Sequence, residues 1–164
     1  MGSDDFLEIL PLLTKAEVEF TLIGGLAATV HGSARFTRDL DVVYARNSLN
    51  LARVVKAVTP LNPYLRGAPP GLPFQFDLET LKAGLNFTLT TDLGPLDLLG
   101  EVAGGGTYED LRSHSVTIRF TGVECLCVDL PTLIRLKRAA GRTRDLEAVA
   151  ELEALQEEQE KMKD

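Results

Sequence analysis

The chain has no tryptophan, and it has only two cysteines and two histidines among its 164 residues. Cys125 and Cys127 are two positions apart in an alternating segment, so both side chains face the same way and are poorly placed for a disulfide in an extended strand. No further Cys or His cluster accompanies them, which excludes the ligand spacing of a zinc site. We therefore expect both cysteines to be reduced and structural.

Long apolar runs are missing as well. None approaches the roughly 18 residues of a membrane span, and no basic-then-apolar leader stands at the beginning of the sequence. We expect a cytoplasmic protein with no membrane partner. The length and the 45% hydrophobic content fit one domain over residues 1–164. Ser3 is a candidate N-cap for a first helix, and C-terminal helices at about 130–161 are expected to pack on the domain.

Positive charge is in the minority, because 17 Lys and Arg residues stand against 24 Asp and Glu residues and the net charge is −7. This balance argues against affinity for nucleic acid over the whole surface. The distribution is uneven, since five basic residues lie between Arg135 and Arg144 and eight acidic residues follow from Asp145 to Asp164. The pattern predicts a basic patch directly before an acidic helix.

A glycine pair after an apolar run is the first feature that points to a binding site. Phe20 to Ile23 predicts a buried strand, Gly24-Gly25 a turn, and Leu26 to Val30 a helix. Glycines allow positive φ and let a ligand approach the main chain, while the first amides of the helix attract anions. The segment therefore predicts a triphosphate site at Gly24 and Gly25.

Two carboxylates follow at alternate positions. Asp39 and Asp41 precede the β-forming Val42-Val43-Tyr44, so strand alternation places both on one face. Carboxylates that close repel each other unless a cation neutralises them, and hard oxygen ligands suit Mg²⁺ or Mn²⁺ rather than Zn²⁺. The alternative is that Asp39 caps a strand and Asp41 lies on a solvated face. The glycine pair favours the metal site, because both signals occur in the order that one site needs.

These residues resemble a known family. Ile23-Gly24-Gly25 and Asp39-Leu40-Asp41, with Leu26 to Arg38 between them, match the signature of polymerase-beta-type nucleotidyltransferases. With His31-Gly32 and Thr37-Arg38, the chain resembles the small bacterial branch that includes toxin-antitoxin and abortive-infection nucleotidyltransferases. The resemblance implies an α/β fold of the α+β kind, with a mixed, mostly antiparallel β-sheet flanked by helices.

The family normally supplies a third metal-binding carboxylate from a later strand, and Asp97 is the best candidate. A strand over this segment places Leu96 and Leu98 in the core and Asp97 on the opposite face. Asp77 and Glu101 are the alternatives. The resemblance implies that Asp39, Asp41 and Asp97 act as catalytic and metal-binding residues, spanned by two ions about 4 Å apart.

Basic side chains near the predicted pocket are candidates for nucleotide binding. By analogy with the bacterial branch, Lys137 contacts the triphosphate; alternatively it extends along the core or pairs with Asp145. Arg38 either holds a phosphate through its guanidinium or pairs with nearby carboxylates. Arg135, Arg138 and Arg142 share one face of a predicted helix that Gly141 ends.

Five of the eight prolines lie between Thr59 and Phe74, which predicts a long irregular loop. Long loops often carry function, so Tyr64 and Arg66 are candidate contacts at the border of the nucleotide or acceptor pocket. The alternative is a stiff connector with no contact to the site.

The family resemblance implies an enzyme that transfers a nucleoside monophosphate from a nucleoside triphosphate, such as ATP, to a hydroxyl. RNA, protein and small-molecule acceptors all occur in the family, and a cognate toxin or antitoxin is the further partner that the bacterial branch implies. The alternative is a catalytically inactive protein of this fold that acts as an antitoxin-like, partner-binding module. An aminoglycoside-type transferase is a third possibility, although the remaining chain is short for a drug-binding domain.

Overall fold

The computed structural model describes residues 5–163. Its strands and helices alternate along much of the chain. The strands are β1 Phe20–Ile23, β2 Leu40–Tyr44, β3 Tyr64–Leu65, β4 Phe87–Thr91, β5 Gly94–Leu99, β6 Glu101–Val102, β7 Gly106–Thr107, β8 Ser115–Phe120 and β9 Val123–Val128. The α-helices are α1 Ile9–Lys15, α2 Gly24–Val30, α3 Ser48–Val58, α4 Leu78–Ala83, α5 Tyr108–Arg112, α6 Leu130–Ala140 and α7 Thr143–Met162. Short 3-10 helices span Asp5–Glu8 and Thr59–Leu61. The predicted cap Ser3 lies outside the described residues.

A seven-stranded sheet with the order β3-β4-β5-β2-β1-β9-β8 forms the centre of the fold. The pairs β2–β5 and β1–β9 are parallel, and the other neighbouring pairs are antiparallel. Strands β6 and β7 form a separate two-stranded hairpin. The mixed, mostly antiparallel sheet confirms the predicted fold class.

The register of β2 against β5 separates apolar from acidic positions. Leu40 pairs with Leu96 and Val42 with Leu98, and all four side chains are fully buried. Because successive side chains point to opposite faces, the intervening pair, Asp41 and Asp97, lies together on the other face. A one-residue slip would expose the apolar set, so burial fixes this pairing.

The C-terminal helices α6 and α7 pack along each other, and α6 also contacts α2. Helix α6 begins where the Asp129 side chain accepts a hydrogen bond from Thr132 N at 2.9 Å, and it ends at Gly141, whose φ is +69°. The structure corrects the predicted face of three arginines, because Arg142 lies beyond this end. Arg135 instead donates to Gly104 O, and Arg138 pairs with Glu153.

The segment from Thr59 to Phe74 is less irregular than its prolines predict. It contains strand β3, whose Tyr64 and Leu65 pair with Thr90 and Leu89 of β4. This short strand is the edge strand of the sheet, and β4 separates it from β5, which carries Asp97.

None of the helices within residues 5–163 combines the length and the apolar character that a membrane crossing needs.

A buried asparagine joins β1, β2 and α3. Asn50 Nδ2 donates to Ala45 O at 2.8 Å and to Glu19 O at 3.1 Å, and its Oδ1 accepts from Glu19 N at 2.7 Å. The Asn50 residue has no exposed surface, the bond to Ala45 O is buried, and the two bonds to Glu19 are partly buried. Asn50 therefore supplies the hydrogen bonds that connect the two central strands to the helix.

Asn50→Leu should lower the free energy of unfolding by about 2–4 kcal/mol, because it leaves buried backbone groups unsatisfied and adds no compensating contact. Urea denaturation followed by circular dichroism measures this loss. Leu49→Ala is the matched control, since Leu49 is 63% exposed on the same helix and its truncation should change stability by less than about 0.5 kcal/mol. Equal stability of Asn50→Leu and wild type would contradict this role.

Candidate active site

Asp41 and Asp97 form the centre of the candidate site. They are direct neighbours across the parallel strands β2 and β5. The pKa of Asp41 is raised to about 7, first by burial and then by the neighbouring carboxyl groups of Asp97 and Asp39, while the Lys137 ammonium acts against this shift. Within the described chain, nothing donates a hydrogen bond to the buried Oδ1 of Asp41. The Asp41 carboxylate therefore lacks the neutralising contact that its position requires.

Gly24 and Gly25 are required by the packing of the site. A Cβ at Gly24, whose φ is +71°, would lie 2.1 Å from Oδ2 of Asp41. A Cβ at Gly25 would lie 2.6 Å from Oγ1 of Thr37. Each glycine thus leaves room for one of the protein's own side chains, and each also lines a cavity. A nucleotide-binding role of the two glycines stays a prediction.

Asp39 lies just before β2, two residues before Asp41. Its backbone N–H is 3.4 Å from Oγ1 of Thr37, so the residue that packs on Gly25 also holds the start of the strand. Asp39 borders a cavity that Asp41 shares and that Asp97 does not line. Asp41 is therefore the one carboxylate of the three that lines both cavities.

Arg66 contacts the site from the proline-rich segment. Its Nη2 donates to Oδ1 of Asp97 at 2.8 Å and to Leu89 O at 2.6 Å. Tyr64, the other candidate of this segment, bonds within its own loop, where its hydroxyl donates to Pro69 O and accepts from Leu72 N. The structure thus brings Arg66 to the site and keeps Tyr64 away from its polar groups.

A second ionic cluster lies across from the carboxylates. Asp145 is almost completely buried; it accepts from Nε of Arg142 at 2.6 Å, and Nζ of Lys137 lies 3.7 Å from its Oδ1. Burial by itself would raise the pKa of Asp145, but the hydrogen bonds and charge of Arg142, with the charge of Lys137, hold it below its usual range. Asp145 therefore fixes both cations at the edge of the site.

Two cavities meet at these residues and differ in charge. The first, of about 320 Å³, has an apolar wall from β5, β6 and α6, and it is lined by four acidic and two basic side chains. The second, of about 410 Å³, is lined by five basic and three acidic side chains. The basic set is Arg35, Arg38, Lys137, Arg142 and Arg144. Asp41, Lys137, Arg142 and Asp145 line both cavities.

The carboxylate pair fits a hard divalent cation. Asp41 and Asp97 offer adjacent oxygens, one of them buried without a partner, and oxygen ligands are those that Mg²⁺ prefers. Residues 5–163 hold no group of three or more His, Cys, Asp or Glu side chains arranged around one metal position. A site that also includes Asp39, as the sequence predicts, stays a prediction.

Comparison with known proteins supports the fold. No protein-family profile matches the chain, and no curated protein matches it. Among solved structures, the chain is similar to a provisionally assigned nucleotidyltransferase from Thermotoga maritima, with a TM-score of 0.50 and 12% sequence identity over 94% of this chain and 90% of that chain. At this identity the similarity shows the nucleotidyltransferase fold alone.

Sequence reasoning did not assign Arg142 and Asp145 to the site. Arg142 was expected on a helix face, whereas it is the N-cap of α7 and donates to Asp145 through its backbone and its side chain. The signal that could have found the cluster is Gly141 followed by Arg142 and Asp145, because a positive-φ helix end places such a pair at the start of a new helix.

Asp41→Asn should change the pH dependence of stability in the absence of divalent cations. With a pKa near 7, folded Asp41 binds a proton between about pH 4 and 7 that the unfolded chain has already released, so wild-type stability falls as the pH rises through this range. The amide does not ionise, so at pH 8 the variant should be more stable than wild type, by on the order of 1–4 kcal/mol. Urea denaturation at pH 5 and pH 8 in a chelator measures the difference. An identical stability gap at both pH values would refute the raised pKa.

Gly24→Ala should destabilise the protein more than Gly122→Ala. Both positions have positive φ, +71° and +80°, so both variants carry backbone strain of about 1 kcal/mol. Only at Gly24 does the added methyl group collide with Asp41, because nothing lies within 4 Å of a Cβ at Gly122. We expect an additional loss of about 1–3 kcal/mol in thermal or urea unfolding. Equal losses in the two variants would show that Asp41 moves aside freely.

Proposed function

We propose that the protein is a nucleotidyltransferase that depends on Mg²⁺ or Mn²⁺ and transfers a nucleoside monophosphate from a nucleoside triphosphate to a hydroxyl. The observation that carries the proposal is the pairing of Asp41 with Asp97 where the acidic and the basic cavity meet. The nucleotidyltransferase fold is consistent with it but does not by itself establish an activity.

The carboxylates would hold the cation. Asp41 and Asp97, which are neighbours across β2 and β5, would be two of its ligands, and Asp39 is the third ligand that the sequence predicts. A bound Mg²⁺ ion supplies neutralisation of phosphate charge and lowers the pKa of a nearby hydroxyl. Its charge would also offset the burial and the carboxylate repulsion that together raise the pKa of Asp41.

The second cavity suits the triphosphate. A nucleoside triphosphate carries several negative charges, and this cavity has five basic side chains against three acidic ones. Lys137 and Arg142, which Asp145 fixes, stand where this cavity joins the first one. Lys137 and Arg142 would therefore contact phosphate groups next to Asp41, which is the role that the sequence predicts for Lys137. Arg38, which lines the same cavity, is the other residue predicted to bind phosphate.

The first cavity would then admit the acceptor. The acceptor oxygen forms a bond to the α-phosphorus while the bond from that phosphorus to the bridging oxygen breaks. Pyrophosphate leaves with the electron pair of the broken bond, and the hydroxyl proton is lost to water. RNA, a protein side chain and a small molecule are the acceptor classes to be tested.

An antitoxin-like, partner-binding module is the second candidate function. The observation that favours it is the ion pair between Arg66 and Asp97, which neutralises Asp97 within the chain and without a metal ion. In this case the fold is retained while the carboxylates have a structural role. A cognate toxin or antitoxin is the partner that this function requires.

Label transfer from each radiolabelled nucleoside triphosphate in the presence of Mg²⁺ separates the two functions. Total RNA, cell lysate and no acceptor are the three arms. Wild type should transfer label to at least one acceptor, and Asp41→Asn and Asp97→Asn should each lower the rate at least about 100-fold, because each removes a negative oxygen from the cation site. Mg²⁺ should also raise the melting temperature of wild type and not that of either variant.

Asp92→Asn is the control for these variants. Asp92 is an exposed residue of the β4–β5 turn whose carboxylate accepts from Asn62, so the same change there should leave both readouts at wild-type values. Wild-type transfer by Asp41→Asn would refute the proposed chemistry. Absence of transfer from every triphosphate, together with absence of Mg²⁺-dependent triphosphate binding, would favour the partner-binding module.

A further inference from the structure

An exposed aromatic ring stands at the border of the basic cavity. Phe36 is 69% exposed, although it lies in the segment that connects α2 to the carboxylate strand. The other large hydrophobic side chains that are exposed within residues 5–163 are not aromatic. Leaving a phenylalanine side chain in water forgoes about 1.5–3 kcal/mol of burial energy, so the packing of the fold gives no reason for its position.

A cation holds the ring in place. The guanidinium of Arg38 lies 5.2 Å from the centroid of the Phe36 ring, which is within the range of a cation–π contact. The neighbouring Thr37 packs against Gly25 and is close to the Asp39 backbone, so the segment is tied to the site on the carboxyl side of Phe36. The ring is therefore exposed to solvent while its neighbours Thr37 and Arg38 contact the site and the ring itself.

The distance from the ring to the carboxylates matches the size of a nucleotide. Phe36 is three residues before Asp39, so their Cα atoms are at most about 11 Å apart. Both residues line the second cavity together with Arg35 and Arg38. A nucleotide whose α-phosphate lies near Asp39 and Asp41 can therefore reach Phe36 with its base.

We propose that Phe36 stacks on the base of the nucleoside triphosphate and that this cavity binds the nucleotide by its phosphates and by base stacking. The inference rests on the proposed function, because it takes the second cavity as the nucleotide site. Every base has a π-face, so a stacking contact accepts all four bases and favours the larger purines over pyrimidines. The protein should therefore bind ATP and GTP with similar affinity, each several-fold more tightly than CTP or UTP.

Calorimetric titration with ATP and with inorganic tripolyphosphate, both with Mg²⁺, separates the base from the phosphates. Phe36→Ala should weaken ATP binding about five- to 100-fold and leave tripolyphosphate binding unchanged, while Phe36→Tyr should restore ATP binding. Leu49→Ala is the control, because Leu49 is a comparably exposed hydrophobic residue that lines neither cavity.

The absence of tryptophan provides a second readout. Phe36→Trp places the chain's single tryptophan at this position, and its selectively excited emission should be quenched by ATP and not by tripolyphosphate. Leu49→Trp should respond to neither compound. A response of Leu49→Trp equal to that of Phe36→Trp would overturn the inference.

The outcomes distinguish the inference from the function on which it rests. Unchanged ATP affinity in Phe36→Ala would overturn the stacking contact and leave the proposed function intact. If ATP and tripolyphosphate both fail to bind wild type, the proposed nucleotide site is refuted and the inference with it. Equal weakening of ATP and tripolyphosphate in Phe36→Ala would overturn the inference too, because it would show a general disturbance of the cavity.

Discussion

The parallel pairing of β2 with β5 is the constraint on which the candidate site depends. Burial of Leu40, Leu96 and their neighbours fixes the register of the two strands, and this register places Asp41 beside Asp97. A buried carboxylate next to a second one is unfavourable by itself. The hydrophobic core therefore holds together two charges that would separate if the strands were free to slip.

The local charge around this pair differs from the charge of the chain as a whole. The chain is acidic as a whole, with a net charge of −7, yet one of the two cavities at Asp41 has more basic than acidic side chains. Asp145 makes this possible, because its buried carboxylate holds Lys137 and Arg142 at the junction of the cavities. Interactions among these groups are strengthened by partial exclusion from water, which is why local charge decides what can bind.

Much of the fold and part of the site could be predicted from local patterns. Alternation between Leu96 and Leu98 was enough to place Asp97 on the face opposite the core, and the fold class followed from the resemblance that the glycine and aspartate motifs carry. The sequence suggested Arg66 only because it lies in a long loop. Its contact with Asp97, which is 31 positions later in the chain, depends on the pairing of β3 with β4 and of β4 with β5. Arg142 was placed on the wrong element, since the chain leaves α6 at Gly141 before reaching it. The close approach of Asp41 and Thr37 to the glycine pair could not be predicted, because both side chains come from later in the chain.

The sequence by itself determined which residues alternate, which segments are apolar, and hence which side chains share a face. These are local properties, set by the periods of strand and helix and by the preferences of glycine and proline. Only the tertiary structure decided which faces meet, that Arg66 reaches Asp97, and that Asp41 is partly buried with an elevated pKa. Desolvation and charge proximity depend on distances between segments remote in sequence, so they exist only after the sheet has formed.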